Sequence, residues 1–172
     1  KGNVLYKAEQ LGLDLTGNPS ELRTLVEKIK WLESRGYSFE AAEASFELLL
    51  RRSQPGYVAP FEVLDCLVLV ERRYGGEMIA EATVKLRVGG EKYHTAAEGN
   101  GPVNALDAAI RKVLVQCYPA LAAVQLIDYK VRVVDENHGT AAVVRVTIES
   151  SDGHGTWSTV GSSTNIIEAS FQ

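Results

Sequence analysis

The stretch Glu98-Gly99-Asn100-Gly101-Pro102-Val103-Asn104-Ala105-Leu106-Asp107-Ala108 is where a strand pattern gives way, through two glycines and a proline, to a long helical one. Glycines allow backbone angles other residues resist and leave main-chain N–H groups uncovered, while proline has the fixed φ suited to a first helical turn. A helix start with bare amides is a place for an anion. The same signal returns as Val160-Gly161-Ser162-Ser163-Thr164-Asn165-Ile166-Ile167-Glu168-Ala169, with Gly99 matching Gly161 and Asn104 matching Asn165 after one deletion. Upstream, Ala82-Thr83-Val84-Lys85-Leu86-Arg87-Val88 reads like Ala142-Val143-Val144-Arg145-Val146-Thr147-Ile148, each followed by a turn and a short second strand. The chain therefore contains an internal repeat, two copies of strand, strand, strand, helix, and its fold class is α+β.

Working outward from the first copy, strands are expected at 61–73, 78–88 and 92–98, joined by Tyr74-Gly75-Gly76-Glu77 and Gly89-Gly90. In the second strand Ala82, Val84, Leu86 and Val88 alternate with Thr83, Lys85 and Arg87, so one sheet face is dry and the other wet. The helix expected at 103–117 carries Val103, Leu106, Ile110, Val113 and Leu114 on one stripe, with Ala105, Ala108 and Ala109 allowing close approach to the dry face. The second copy repeats the pattern with strands at 126–134, 141–150 and 156–160. Asn165 with Glu168 spells an N-cap with an acid three residues on. Asn104 and Asp107 have the same spacing, but Pro102 offers a competing start, so the first cap stays open.

Ser53-Gln54-Pro55-Gly56 breaks both periodicities and divides residues 1–54, read as helical, from residues 55–172, read as the repeat region. The helical part holds a first helix on Val4, Leu5, Ala8 and Leu11, stopped by Gly12. A second is opened by Asn18-Pro19-Ser20-Glu21, and a third is capped by Ser38, with Phe39, Ala42, Phe46, Leu49 and Leu50 on its apolar face. Three short helices make too small a core to stand alone, so they are expected to lean on something outside this chain. Lys1-Gly2-Asn3-Val4 lacks an initiator Met and starts inside a helical pattern, and 166–172 is short for the helix its repeat partner supplies. Both ends read as cut or disordered, and the chain as a piece of something longer.

At 172 residues, 45% hydrophobic and 23% charged, the chain is of ordinary globular composition. A net charge of −4 with no run of Lys and Arg argues against a nucleic-acid partner. The longest apolar run, Cys66-Leu67-Val68-Leu69-Val70, is far below the roughly 20 residues of a membrane helix, so no membrane partner is expected. Cys66 and Cys117 have no neighbour at metal spacing and read as small buried hydrophobes in a reducing cytoplasm. Gly99 to Gly101 lacks the Lys-Ser/Thr of a phosphate loop and the βαβ context of a dinucleotide fingerprint. Ser162 and Ser163 would need a histidine and an acid close by, yet His94, His138 and His154 lie in or beside turns and form no metal cluster. No catalytic residue and no metal ligand is assigned.

A binding site fits better. A zwitterionic amino acid needs N–H donors for its carboxylate, an acceptor for its ammonium and an apolar pocket for its side chain. The glycine turn supplies the first, Asn104 or Asp107 the second, and Val103, Leu126 and Tyr129 the third. The other reading is that the glycines serve only a tight strand-to-helix turn, which a repeated fold needs twice.

Three separated motifs carry a family resemblance over the whole chain: Glu98 to Ala105, Gly161 to Ser170, and Gly36-Tyr37-Ser38-Phe39-Glu40-Ala41-Ala42-Glu43-Ala44-Ser45-Phe46-Glu47-Leu48-Leu49. They resemble the C-terminal regulatory region of the α-isopropylmalate synthase and citramalate synthase family, the third motif looking like the citramalate branch. Gly2-Asn3 is similar to the end of a signature that follows the catalytic barrel in these enzymes. The resemblance implies a helical communication region followed by a homodimeric domain of two βββα units that binds a feedback amino acid, isoleucine in the citramalate branch or leucine in the isopropylmalate branch. By motif match, Gly99, Gly101, Val103 and Asn104 lie at the effector site, with Leu126 and Tyr129 lining it. The condensation of acetyl-CoA with a 2-keto acid, and the divalent metal it uses, would belong to a barrel absent from this chain, which itself takes no cofactor. The last helix, from which the resemblance implies dimer contacts, is shortened in this sequence. A stand-alone amino-acid-binding dimerisation module is the rival reading.

Overall fold

The computed structural model describes residues 2–13, 19–72 and 74–172. In chain order the elements are α1 (Gly2–Gln10), α2 (Pro19–Ser34), α3 (Glu43–Arg52), β1 (Phe61–Arg72), β2 (Met78–Val88), β3 (Glu91–Gly99), α4 (Pro102–Cys117), β4 (Gln125–Val133), β5 (Val144–Ser151), β6 (Thr156–Ser163) and α5 (Ile166–Phe171). The strands form two antiparallel sheets of three, ordered β1-β2-β3 and β4-β5-β6, and each sheet is followed by a helix. The two βββα repeats are thus present. By packing, the chain forms two compact units, one of residues Ala59–Gln125 and the other of Lys1–Val58 with Leu126–Gln172.

In the unit of Ala59–Gln125, alternation along β2 does what the sequence implies. Ala80, Ala82, Val84, Leu86 and Val88 are buried against Ala105, Leu106, Ala109, Val113 and Leu114 of α4. Full burial of a side chain such as Leu86 contributes on the order of 1.5–3 kcal/mol. The alanines lie deepest while Val103 and Ile110 are only half-buried, so the helix axis is drawn down onto the sheet along its small residues. On the opposite face Lys85 pairs with Asp65 at 2.8 Å and Arg87 with Glu62 at 2.6 Å, exposed cross-strand pairs of small energetic weight. Arg111 donates to the carbonyls of Leu121 and Val124 and is held by Asp107 at 2.9 Å, which shapes the turn that follows α4.

Cys66 departs from expectation, for it is exposed, and Cys117 is only half-buried; both are free thiols. The register places Cys66 opposite Val84, but α4 packs chiefly over β2 and β3 and only touches β1. Val70, Leu67 and Leu69 of β1 are exposed as well.

In the other unit the helical core joins Ala8, Leu25, Ile29, Phe39, Ala42, Phe46, Leu49 and Leu50 to Val160 of β6. The helices therefore lean on the second repeat of their own chain. Asn18, the expected cap of α2, lies outside the described residues, and α2 begins at Pro19. The expected start of α3 at Ser38 is corrected: residues 39–41 make a turn, Ala42 has a non-helical φ of −143°, and the helix runs from Glu43. Phe39 reaches the core from that turn, its ring 5.8 Å from that of Phe46. β5 begins at Val144 and not near 141, because residues 136–141 form a short 3-10 turn kinked at Gly139. β6 runs on to Ser163, which pairs with Val144. The last segment forms α5, six residues long. Among the described residues no helix is long and apolar enough to cross a membrane.

Candidate functional site

The β3–α4 corner is built around the absence of a side chain at Gly99. A Cβ there would stand 2.5 Å from the backbone nitrogen of Ala105 and 2.6 Å from Oδ1 of Asn104. Asn104 Oδ1 accepts the N–H of Asn100 at 3.1 Å, which folds the intervening residues back over the helix start. Gly101 is the N-cap of α4, with φ −166° and ψ 170°, and Pro102 follows at the first helical position. That φ is extended backbone open to any residue, and a Cβ at Gly101 would meet nothing within 4 Å. The first turn of α4 has no side-chain cap and no acidic residue. No side-chain cap therefore satisfies the N–H groups of that turn, where the positive end of the helix dipole lies.

The β6–α5 corner has the same backbone plan and a different state. Gly161 lies even closer to its helix, a Cβ there falling 1.9 Å from the carbonyl oxygen of Ala169. Here Asn165 is the N-cap, accepting from the N–H of Ile167 at 2.9 Å and of Glu168 at 3.4 Å. Ser163 Oγ donates to Glu168 at 2.5 Å and accepts from the Asn165 N–H at 3.0 Å. The second corner is filled by its own side chains. The matched asparagines therefore do different work, Asn165 capping a helix and Asn104 closing a turn.

Of the sequence-derived effector residues, Gly99, Gly101, Val103 and Asn104 come together at the first corner. Leu126 and Tyr129 lie on β4, in the other compact unit. Leu126 is 51% exposed, and the half-buried Tyr129 has its hydroxyl 2.6 Å from Ser170 Oγ. The two side chains considered as ammonium acceptors are already engaged, Asn104 by Asn100 and Asp107 by Arg111. Asn104 Oδ1 retains a second lone pair for a ligand.

One arrangement escaped the sequence reading. Ser162, 8% exposed, donates its hydroxyl proton to the carbonyl of Arg35 at 2.7 Å, and Arg145 Nε donates to the carbonyl of Gly36. Gln172 Oε1 accepts from the Ser162 N–H at 3.0 Å and from the Tyr37 hydroxyl. Burial raises the pKa of that hydroxyl above its ordinary value, so it stays a donor. The available signal was Ser162 following the repeat glycine where the first copy has Asn100, an exposed residue. On the same face of the second sheet a polar cavity of about 380 Å3 is lined by Lys130, Arg132, Arg145 and Glu149, together with Ser38 and Ala41. Among the described residues no three His, Cys, Asp or Glu side chains gather as a metal site. His94 and His154 are exposed, and His138 pairs with Asp135 at 2.5 Å.

The family model of the LeuA allosteric (dimerisation) domain matches residues 40–172. The chain is 47% identical over 173 residues to the (R)-citramalate synthase of Geobacter sulfurreducens, covering all of this chain and 33% of that protein. It is 48% identical to the (R)-citramalate synthase of Aquifex aeolicus over 99% of this chain and 33% of that protein. A 2-isopropylmalate synthase of Aquifex aeolicus is 32% identical over 96% of this chain and 29% of that protein. The chain spans about a third of the length of these relatives.

Proposed function

The chain belongs to the LeuA allosteric (dimerisation) domain family, and from that premise we propose that it is the feedback-sensing part of a citramalate synthase, binding isoleucine and thereby restraining the condensation of acetyl-CoA with pyruvate. The chemistry and its divalent metal belong to a catalytic barrel outside this chain, and the whole acts in the cytoplasm. In this reading residues 1–54 are the helical linker and residues 55–172 the effector-binding region. The citramalate branch is favoured by 47–48% identity to (R)-citramalate synthases against 32% to a 2-isopropylmalate synthase.

The observation that supports an amino-acid site is the uncapped first turn of α4 beside the open Gly101. An amino acid's carboxylate would take the amides there, with Val103 offering apolar surface and Asn104 Oδ1 accepting from the ammonium. Calorimetric titration of isoleucine and leucine tests this. Isoleucine is expected to bind more tightly, by no more than the roughly 1–3 kcal/mol that one displaced methyl group can supply. Preference for leucine would move the protein to the isopropylmalate branch, and binding of neither would end the effector reading.

A homodimer is the second expectation. β1 and β4 both leave apolar side chains in water, among them Leu67 at 67%, Leu69 at 55%, Ile127 at 53% and Val133 at 53% exposed. Such edges are suited to a self-complementary two-fold contact. Sedimentation equilibrium should return twice the 18.7 kDa chain mass. A monomer persisting at the highest attainable concentration would remove dimerisation from the account.

A further inference from the structure

We propose that the second copy of the strand-to-helix corner is a latch through which the state of the sheet β4-β5-β6 reaches the helices α1–α3. Its part in inhibition rests on the effector reading above; the latch has its own geometry. In the first copy the residue after the repeat glycine, Asn100, is exposed, and the helix start beyond it is uncapped. In the second copy the equivalent Ser162 is buried, and the helix start is capped by Asn165. The second corner instead makes contacts with the helical part of the chain.

Those contacts converge on the end of α2. A helix leaves its last carbonyls without partners, and a cation or donor placed there is favourable. Ser162 takes the Arg35 carbonyl and Arg145 that of Gly36, so side chains of β6 and β5 complete the residues that close α2. Gly36 has φ +99°, and a Cβ on it would stand 2.5 Å from Ser162 Oγ and 3.4 Å from Val134 and Val143. Only glycine seats the chain this deeply. Tyr37 and the Ser162 N–H share Gln172 Oε1 just beyond α5, and the Val160 N–H donates to Ser45 of α3 at 2.9 Å. Any shift of β6 against α5 therefore moves Ser162, and with it the end of α2.

The test uses the full-length enzyme that carries this chain, with Ser162→Ala and Tyr37→Phe combined, each removing one hydroxyl and little volume. Without ligand, amide hydrogen exchange over residues 35–50 is expected to quicken roughly tenfold while β2 and α4 stay unchanged. Unaltered exchange over 35–50 overturns the latch. With isoleucine, calorimetric affinity and uninhibited kcat and KM should stay within about twofold, while the concentration for half-inhibition of thiol release rises at least tenfold. Faster exchange with wild-type inhibition would overturn the transmission role. Should the unmodified enzyme bind neither isoleucine nor leucine, the effector reading fails, and the exchange measurement still decides the latch.

Discussion

Gly161→Ala is expected to lower the melting temperature of its unit by roughly 10 °C or more. The added methyl would fall 1.9 Å from the carbonyl oxygen of Ala169 and 2.9 Å from its carbon, backbone atoms that no rotamer change can clear. α5 would have to lift, breaking the Tyr129–Ser170 contact and withdrawing Gln172 from Ser162. That exceeds the ~1–3 kcal/mol of ordinary overpacking. Gly99→Ala meets backbone at 2.5–2.8 Å and should fall within that ordinary range, while Gly101→Ala meets nothing and should be nearly neutral. Trp31 and Trp157, the two tryptophans of the chain, belong to the unit that contains Gly161. Their fluorescence should report an early transition in Gly161→Ala and a wild-type one in Gly99→Ala, where loss appears in far-ultraviolet circular dichroism alone. A Gly161→Ala variant melting with the wild type would contradict the close crossing of β6 and α5.

Gly101→Asp is expected to abolish isoleucine binding while leaving the fold intact. The substitution gives the first corner what Asn165 gives the second, a side-chain oxygen over the amides of the first helical turn. A carboxylate there competes with the ligand's own and repels it. With φ at −166° and open space around the position, no backbone strain arises, and an Asp N-cap should match or exceed Gly by a few tenths of a kcal/mol. Calorimetry should show at least a ~100-fold loss of affinity, or about 2.7 kcal/mol, in a protein whose melting temperature is unchanged or slightly raised. Wild-type affinity in that folded variant would leave the glycine corner as a turn and nothing more.

How much of this was legible in the residues depends on the range of the interaction. The βββα repeat could be read because alternation at 82–88 and the stripe on α4 are local patterns that report burial directly. The pairing of Gly99 with Gly161 could be read as well, although the reason for it, a helix crossing too close for any Cβ, needed coordinates. Cys66 was misjudged because an apolar run says that a strand is buried somewhere, not whether its helix reaches the sheet edge. Ser38 was misplaced as a cap because a serine before an apolar helical pattern looks the same whether the helix starts there or five residues on. The latch was out of reach entirely. It joins Arg35 to Ser162 and Gly36 to Arg145, 127 and 109 positions apart, through carbonyls that every residue possesses.

That separation has a consequence for how the chain acquires its structure. The unit of Ala59–Gln125 is closed by contacts between neighbours in sequence, hairpin to hairpin to helix, and such topologies form quickly. The helices ahead of it cannot complete their core until Val160 arrives, and Ser45 waits 115 residues for the Val160 N–H. During synthesis Phe39, Phe46 and Leu50 therefore leave the ribosome with their apolar faces uncovered while an entire later-encoded unit is translated and folds between them and their partner. At elongation speeds of about 5–20 residues per second that interval lasts several seconds, long enough for chaperone capture or misassembly with a neighbouring nascent chain.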